Sequence, residues 1–175
     1  MPGPEPGHRP TGLQVLAALR LVADPAAIDA ALADPPWPAT ALAARIAPDD
    51  LLVVLATAAA AGPAEAAGPA EAAAATAMVV TADDPFAIVE PETGFVGAWL
   101  DLVAVVRWVA ANAEWHLPHP DPAASAGPVL AQGMVAALPV KIVVDGGRAL
   151  VMVPAGYAQE LAQRAGLDRS EVPGG

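Results

Sequence analysis

The sequence contains no cysteine and only one lysine, Lys141. Without cysteine there can be no disulfide and no thiolate metal site, and this composition favours a reducing cytoplasm over a small secreted scaffold. The formal net charge is −11. A chain this acidic lacks the basic surface that neutralises phosphate groups, so we expect neither nucleic acid nor an anionic membrane as a partner.

A long uncharged apolar run is also missing. The first ten residues are rich in proline and lack a basic patch followed by an apolar core, so residues 1–10 predict a disordered tail and not a signal peptide. The most apolar stretch, residues 95–113, contains Asp101, Arg107 and Asn112. This polarity is too high for a bilayer span, and the stretch predicts a core helix of a cytoplasmic protein.

Apolar residues nevertheless make up 55% of the 175 residues, which is enough for the core of one domain. Near the N-terminus they recur at close to helical spacing, at Leu13, Leu16, Leu19 and Val22. This spacing predicts a helix over residues 11–22, and Asp24-Pro25 predicts the start of a second helix that runs through Leu32. Residues 11–46 are therefore expected to form an N-terminal helical segment.

The predicted core spans residues 47–166 and is followed by a polar tail, residues 167–175. Its clearest signal is a hairpin, in which two apolar runs, 140–144 and 149–153, flank the turn Asp145-Gly-Gly-Arg148. The other expected elements are a strand at 51–55, a low-complexity insertion or frayed helix at 58–77, strands at 77–81 and 86–89, and helices at 98–114 and 157–164. This β-α-β-β-α-β-β-α order predicts a single α+β domain with a mixed or antiparallel sheet.

The helix around Arg107 is predicted to have two apolar arcs, separated by narrow polar lines. One arc contains residues that we identify as a candidate partner interface: Leu100, Ala104, Trp108, Ala111 and Trp115. The N-terminal helices of the chain could cover this arc, or a partner subunit could, because tryptophan is enriched in the cores of interfaces.

Catalytic motifs are not recognisable. Ser125 and Ser170 are the only serines, and neither lies in a Gly-x-Ser-x-Gly elbow. No glycine-rich phosphate loop follows a strand, so no nucleotide cofactor is expected. The stretch Gly127–Gly133 could place backbone amides near a ligand, which leaves a pocket near Trp99, Gln132 and Tyr157 as one alternative.

A metal site is the other alternative. The segment 114–121 contains His116, His119 and Asp121, the residue types that bind zinc or non-haem iron. The segment is also rich in proline, and metal ligands need rigid support from neighbouring groups. A solvated loop is the competing interpretation.

Three short motifs of the core occur in the order of a known family. Ala47-Pro-Asp-Asp-Leu-Leu-Val-Val54 is similar to the opening of that family's first strand, Ala77-Met-Val-Val80 occupies the place of its second strand pair, and Ala131-Gln132, Leu138-Pro-Val140 and Tyr157-Ala158 resemble its closing segment. Through these motifs residues 47–165 resemble the gamma subunit of heterotetrameric sarcosine oxidase, a relative of the folate-binding domain of aminomethyltransferases.

The resemblance implies a non-catalytic subunit whose larger partners carry the flavin and folate chemistry. Under this hypothesis the chain has no catalytic residues and no cofactor of its own. Its partner would be a larger oxidoreductase subunit, or the chain would form a homo-oligomer. The alternatives remain a small-molecule-binding domain and a metal-dependent enzyme that uses the 114–121 loop.

Overall fold

Two antiparallel β-sheets pack face to face, and helices cover the outer surface of each. The computed structural model describes residues 12–33, 37–38, 41–55, 63–117 and 127–167. The predicted tail 1–10 and all but the first residue of the predicted tail 167–175 lie outside these residues, as do His119, Asp121, Ser125 and Ser170.

Sheet A has five strands in the order β1-β6-β9-β8-β7. They are β1 (Gln14–Val15), β6 (Phe95–Asp101), β9 (Arg148–Pro154), β8 (Leu138–Asp145) and β7 (Val129–Val135). Sheet B has four strands in the order β3-β4-β2-β5. They are β3 (Ala41–Ala47), β4 (Asp50–Leu55), β2 (Ala17–Val22) and β5 (Ile88–Glu92). All described pairings are antiparallel.

The described residues form four α-helices, which lie on the outer surfaces: α1 (Pro25–Ala33), α2 (Pro63–Val80), α3 (Leu102–Asn112) and α4 (Ala158–Ala165). The first two pack on sheet B, and α3 and α4 pack on sheet A. Helix α2 contacts sheet B through small side chains, among which Ala73 and Ala77 are fully buried. Within the described residues no helix is long and apolar enough to cross a membrane.

The sandwich explains why β4 is apolar on every side chain after Asp50. Successive side chains of a strand point to opposite faces. Leu52 and Val54 face sheet A, whereas Leu51, Val53 and Leu55 face the helices on sheet B. All five are buried because sheet B is covered on both faces.

The core between the sheets is formed by side chains from both. Sheet B and the residue before β2 contribute Leu16, Ala18, Leu42, Ala44, Leu52 and Val54, and sheet A contributes Trp99, Val143, Leu150 and Met152. The chain passes from sheet A to sheet B at Leu16, which lies between β1 and β2 and is 3% exposed. One side chain therefore anchors the crossing inside the core.

The helix predicted over residues 11–22 is wrong, because this stretch forms β1 and β2. Apolar runs that are buried on two faces lack the alternation of a half-buried strand, so periodicity alone does not distinguish them from a helix. The N-terminal segment also contains the strand β3, which the sequence did not predict. The helix after Asp24 is confirmed and spans Pro25–Ala33.

Two predicted boundaries in the middle of the chain are also wrong. Residues 77–80 belong to the end of α2 and not to a strand, and helical backbone is continuous from Pro63 through the Gly68-Pro69 pair. Alanine has the highest helix propensity, which favours this outcome. The helix predicted from residue 98 begins at Leu102, since residues 95–101 form the strand β6.

The fold class is confirmed as a single α+β domain with antiparallel sheets. The β8–β9 hairpin closes at Asp145 and Arg148 as predicted, with a positive φ of 59° at Gly146. The last helix ends at Gly166, which has a left-handed φ of 71°. The predicted order of elements is incomplete, because it lacks β1, β2, β3, β6 and β7.

Candidate functional site

Helix α3 is fixed at both ends by hydrogen bonds to sheet A and its turns. The Asp101 carboxylate caps the first turn by accepting a hydrogen bond from the backbone N–H of Ala104, at 3.1 Å. At the other end the backbone N–H of Ala136 donates to the carbonyl of Asn112, at 2.9 Å. These contacts leave one face of the helix to the core and one face to solvent.

The two faces of α3 differ in burial but hardly in polarity. Val105 and Val109 are 1% exposed and pack on sheet A. On the outer face Val103 is 55% and Val106 is 37% exposed. Arg107 is the only charged residue within Leu102–Asn112. The outer face is therefore an apolar surface with a single cation.

A cleft beside α3 contains three of the five predicted interface residues. Leu100, Ala104 and Trp108 form one wall, and residues 165–167 at the end of α4 form the other. The cleft has a volume of about 190 Å³. Ala111 is exposed to solvent and does not line the cleft.

Trp115 lies elsewhere, against the strand β7. Its indole N–H donates to the carbonyl of Met134 at 3.0 Å. A Cβ at Gly133 would approach the indole nitrogen to 2.6 Å, so only glycine leaves room for the ring at this position. The predicted arc is thus divided, and Trp115 packs on the domain itself.

The three residues of the predicted small-molecule pocket are not brought together. Trp99 is 9% exposed in the core between the sheets, with the guanidinium of Arg148 4.0 Å from its ring centroid. Tyr157 is 40% exposed in a short helical turn before α4. Gln132 lies on β7, where the stretch predicted to present backbone amides is paired with β8.

Gln132 lines a groove that the sequence did not predict. The groove has a volume of about 400 Å³ and is lined by Phe95, Gln132, Gly133, Met134, Pro139, Val140, Lys141 and Pro154. The Lys141 ammonium donates to the Gln132 side-chain carbonyl at 3.1 Å and lies 5.7 Å from the centroid of the Phe95 ring. These residues come from four strands, and only the strand pairing shows that they meet.

The metal hypothesis has one residue inside the described part of the chain. His116 is exposed to solvent after the end of α3. Among the residues that the structure describes, no group of three histidines, aspartates or glutamates is placed to hold a metal ion.

The most buried ion pair lies on sheet B. The Arg20 guanidinium donates to both oxygens of Asp50, with Nη2–Oδ2 at 2.7 Å and Nε–Oδ1 at 3.1 Å. Hydrogen bonding and the charge of Asp50 raise the pKa of Arg20, with smaller contributions from Glu90 and Glu92. Because the pKa of Arg20 rises on folding, its contribution to stability is present while Arg20 is protonated and is lost as the pH rises through the raised pKa.

No protein-family model and no curated protein matches this sequence. Among solved structures the fold is similar to that of a chain of the heterotetrameric sarcosine oxidase from Corynebacterium sp. U-96, solved in complex with pyrrole 2-carboxylate. The TM-score is 0.55 at 15% sequence identity, and the match covers 93% of this chain and 87% of that chain. The likeness shows a shared fold.

A second structure, the ligand-free regulatory subunit of aspartate kinase from Thermus thermophilus, matches with a TM-score of 0.38 at 18% identity. That match covers 92% of this chain and 99% of the other.

Proposed function

We propose that this chain is a non-catalytic accessory subunit that docks on a larger oxidoreductase subunit through the outer face of α3. The observation that carries the proposal is the exposed apolar surface of this helix. Val103 and Val106 lie one turn apart and are 55% and 37% exposed. In a chain with a net charge of −11, a helix whose outer face has one charge is a candidate for burial by a partner.

The cleft beside α3 extends this surface. Trp108 is half-buried there, between the helix and the end of α4. Tryptophan is enriched among the residues that dominate binding energies, and a partner side chain inserted into the cleft would contact its ring. The docking surface therefore consists of Val103, Val106 and the walls of the cleft, and it excludes Trp115.

The shared fold supports the oxidoreductase as the partner. The Corynebacterium chain belongs to a heterotetrameric oxidase. The short motifs between residues 47 and 165 point to the gamma subunit of the same class of enzyme. The proposal assigns flavin and folate chemistry to the partner and docking to this chain.

Affinity purification from the native host tests the proposal. We expect the full chain with an affinity tag to co-purify with a stoichiometric larger oxidoreductase subunit, identified by mass spectrometry. The double substitution Val103→Glu with Val106→Glu places two carboxylates on the docking surface. It should reduce the co-purifying subunit by about ten-fold or more, because charges buried at an interface without partners are costly.

The matched control is Met78→Glu with Val79→Glu, at two exposed apolar residues on α2, on the opposite side of the sandwich. The control should retain the partner, and circular dichroism should show both variants folded. Equal retention by both variants would exclude α3 as the docking surface. If the chain co-purifies only with copies of itself, the proposed oxidoreductase partner is wrong and the chain forms a homo-oligomer.

A further inference from the structure

Within the part of the chain that the structure describes, the groove around Lys141 is an uncovered part of the face through which sheet A meets sheet B. Strand pairing places Phe95 opposite Pro154, and Gln132 opposite Lys141. Lys141 in turn lies opposite Met152, which is buried between the sheets. Because residues paired in this way point to the same face, the groove continues the core beyond the edge of sheet B.

The walls of this groove are apolar. Phe95, Met134, Pro139 and Pro154 line it, and Met134 is 54% exposed. Its volume of about 400 Å³ lies within the range of small-molecule sites, roughly 300–1,000 Å³. An aromatic ring or a short alkyl chain placed here would be removed from water against these side chains.

One end of the groove is cationic. Lys141 is the only lysine of the sequence. Its ammonium group donates to the carbonyl oxygen of Gln132, which leaves the amide N–H groups of Gln132 for another acceptor. Two kinds of donor thus lie side by side on neighbouring strands.

The ammonium group of Lys141 has no carboxylate partner within the part of the chain that the structure describes. Three arginines are paired there, Arg20 with Asp50, Arg45 with Asp29 and Arg148 with Asp145. Arg107 and Arg164 are exposed to water, whereas Lys141 is half-buried. Among the described residues, Lys141 is therefore a half-buried cation without an ion pair in a strongly acidic chain.

We infer that this groove binds a small monocarboxylate with an apolar body. The carboxylate would accept hydrogen bonds from the Lys141 ammonium and from the Gln132 amide, and the apolar body would lie against Phe95 and the two prolines. The negative charge complements a cation that lacks a partner. The groove and α3 lie on opposite faces of sheet A, so this site does not depend on the docking role.

The single lysine allows a direct test on the full chain. Protein produced with isotope-labelled lysine gives one side-chain amine signal by NMR, and that signal belongs to Lys141. We expect phenylpropanoate to shift this signal in a saturable manner. Phenylpropanamide, which has the same shape without the charge, should bind about ten-fold more weakly or not at all.

Calorimetry on variants assigns the groups that bind. Lys141→Met removes the charge and keeps an unbranched side chain, so binding of phenylpropanoate should fall about ten-fold, while Lys141→Arg should retain most of it. Gln132→Leu should weaken binding less. Arg107→Met is the matched control, because it removes an exposed cation from α3 outside the groove.

Three outcomes would overturn the inference. They are an unchanged Lys141 signal at high probe concentration, equal binding of the acid and the amide, and an equal loss in Arg107→Met and Lys141→Met. If Lys141→Met does not fold, the NMR comparison of phenylpropanoate with phenylpropanamide on the labelled wild-type chain still tests the inference.

Discussion

Because Gly133 has no side chain, the Trp115 ring can pack directly on the backbone of β7. The indole of Trp115 lies directly on β7, and its N–H donates to the next carbonyl along, that of Met134, at 3.0 Å. The position of a Cβ on residue 133 is 2.6 Å from the indole nitrogen and 2.9 Å from Cε2 of the ring. Both distances are too short for non-bonded atoms, so the ring and a side chain at residue 133 exclude each other.

We therefore expect Gly133→Ala to displace Trp115 and to break its hydrogen bond. The loss should be about 1–3 kcal/mol in the free energy of unfolding, since an overpacked site must shift its neighbours. Urea denaturation measures the loss, and a red shift of tryptophan emission reports the exposure of the ring.

Gly147→Ala is the control for this substitution. A Cβ at Gly147 would have no atom within 4 Å, and the residue has no positive φ, so its stability should change little. An equal loss in the two variants would show that glycine itself, and not the packing of Trp115, is what matters at residue 133.

At the scale of elements, the β7–β8 hairpin has an unfavourable turn. Ala136 and Ala137 connect its strands with φ angles of 50° and 62°. Positive φ at both central positions is the geometry of a type I′ turn, which favours Asn-Gly. Alanine in this region is strained by its Cβ, and the hydrogen bond from Ala136 to Asn112 holds the turn against α3.

Ala137→Gly should therefore increase the free energy of unfolding, by about 0.5–1 kcal/mol. Glycine adopts this φ without strain. The free energy gained by removing the strain exceeds the free-energy cost of the greater conformational entropy that glycine gives the unfolded chain. The control is Ala110→Gly, at an exposed position inside α3, which should destabilise by about 1 kcal/mol. Thermal or urea denaturation would contradict the argument if the two exchanges had the same sign.

This turn also shows why one hairpin was predictable from the sequence and the other was not. Gly146 supplies the positive φ that the β8–β9 turn needs, so composition identifies it. Ala136-Ala137 carries no turn signal, so the sequence does not predict the strand that precedes it. In β2 the cause is different, because Leu19 and Leu21 face the helices while Ala18 faces sheet A, and burial on both faces removes the alternation.

The candidate sites, like the strands, are predictable only where a local sequence pattern reveals them. The helical arc predicts Trp108 as an interface residue, which stays a prediction, and the structure places Trp108 in the cleft beside α3. The sequence shows Lys141 as the only lysine but does not place it in a groove, because Phe95 and Pro154 are far from it in sequence and only strand pairing brings these residues together. Local periodicity predicts a face, whereas a groove built from four strands requires the register.

At the scale of the whole molecule, the two sheets share one core, and the chain crosses from sheet A to sheet B between β1 and β2 and returns between β5 and β6. Leu16 sits at the first of these crossings. A shared core predicts that the sheets lose their structure together. Unfolding followed by far-UV circular dichroism and by tryptophan fluorescence should give coincident transitions.

Leu16→Ala should lower the stability of both sheets at once, by about 2–5 kcal/mol, the usual range for a leucine buried in a core. The neighbouring Val15 is 79% exposed, so Val15→Ala should change the free energy of unfolding by less than about 1 kcal/mol. Separate transitions in the Leu16 variant would mean that the two sheets unfold independently.

The crossing at Leu16 also has a consequence for synthesis of the chain. Every strand of sheet B lies between residues 17 and 92, so that sheet can assemble while the rest is still on the ribosome. The inner face of sheet B becomes buried only when Trp99, Leu150 and Met152 of sheet A have been synthesised. The last of these residues emerges roughly 60 residues after β5, which takes several seconds at about 5–20 residues per second. During this interval β6 emerges first and can pair with β1, while the inner face of sheet B stays exposed until β9 arrives.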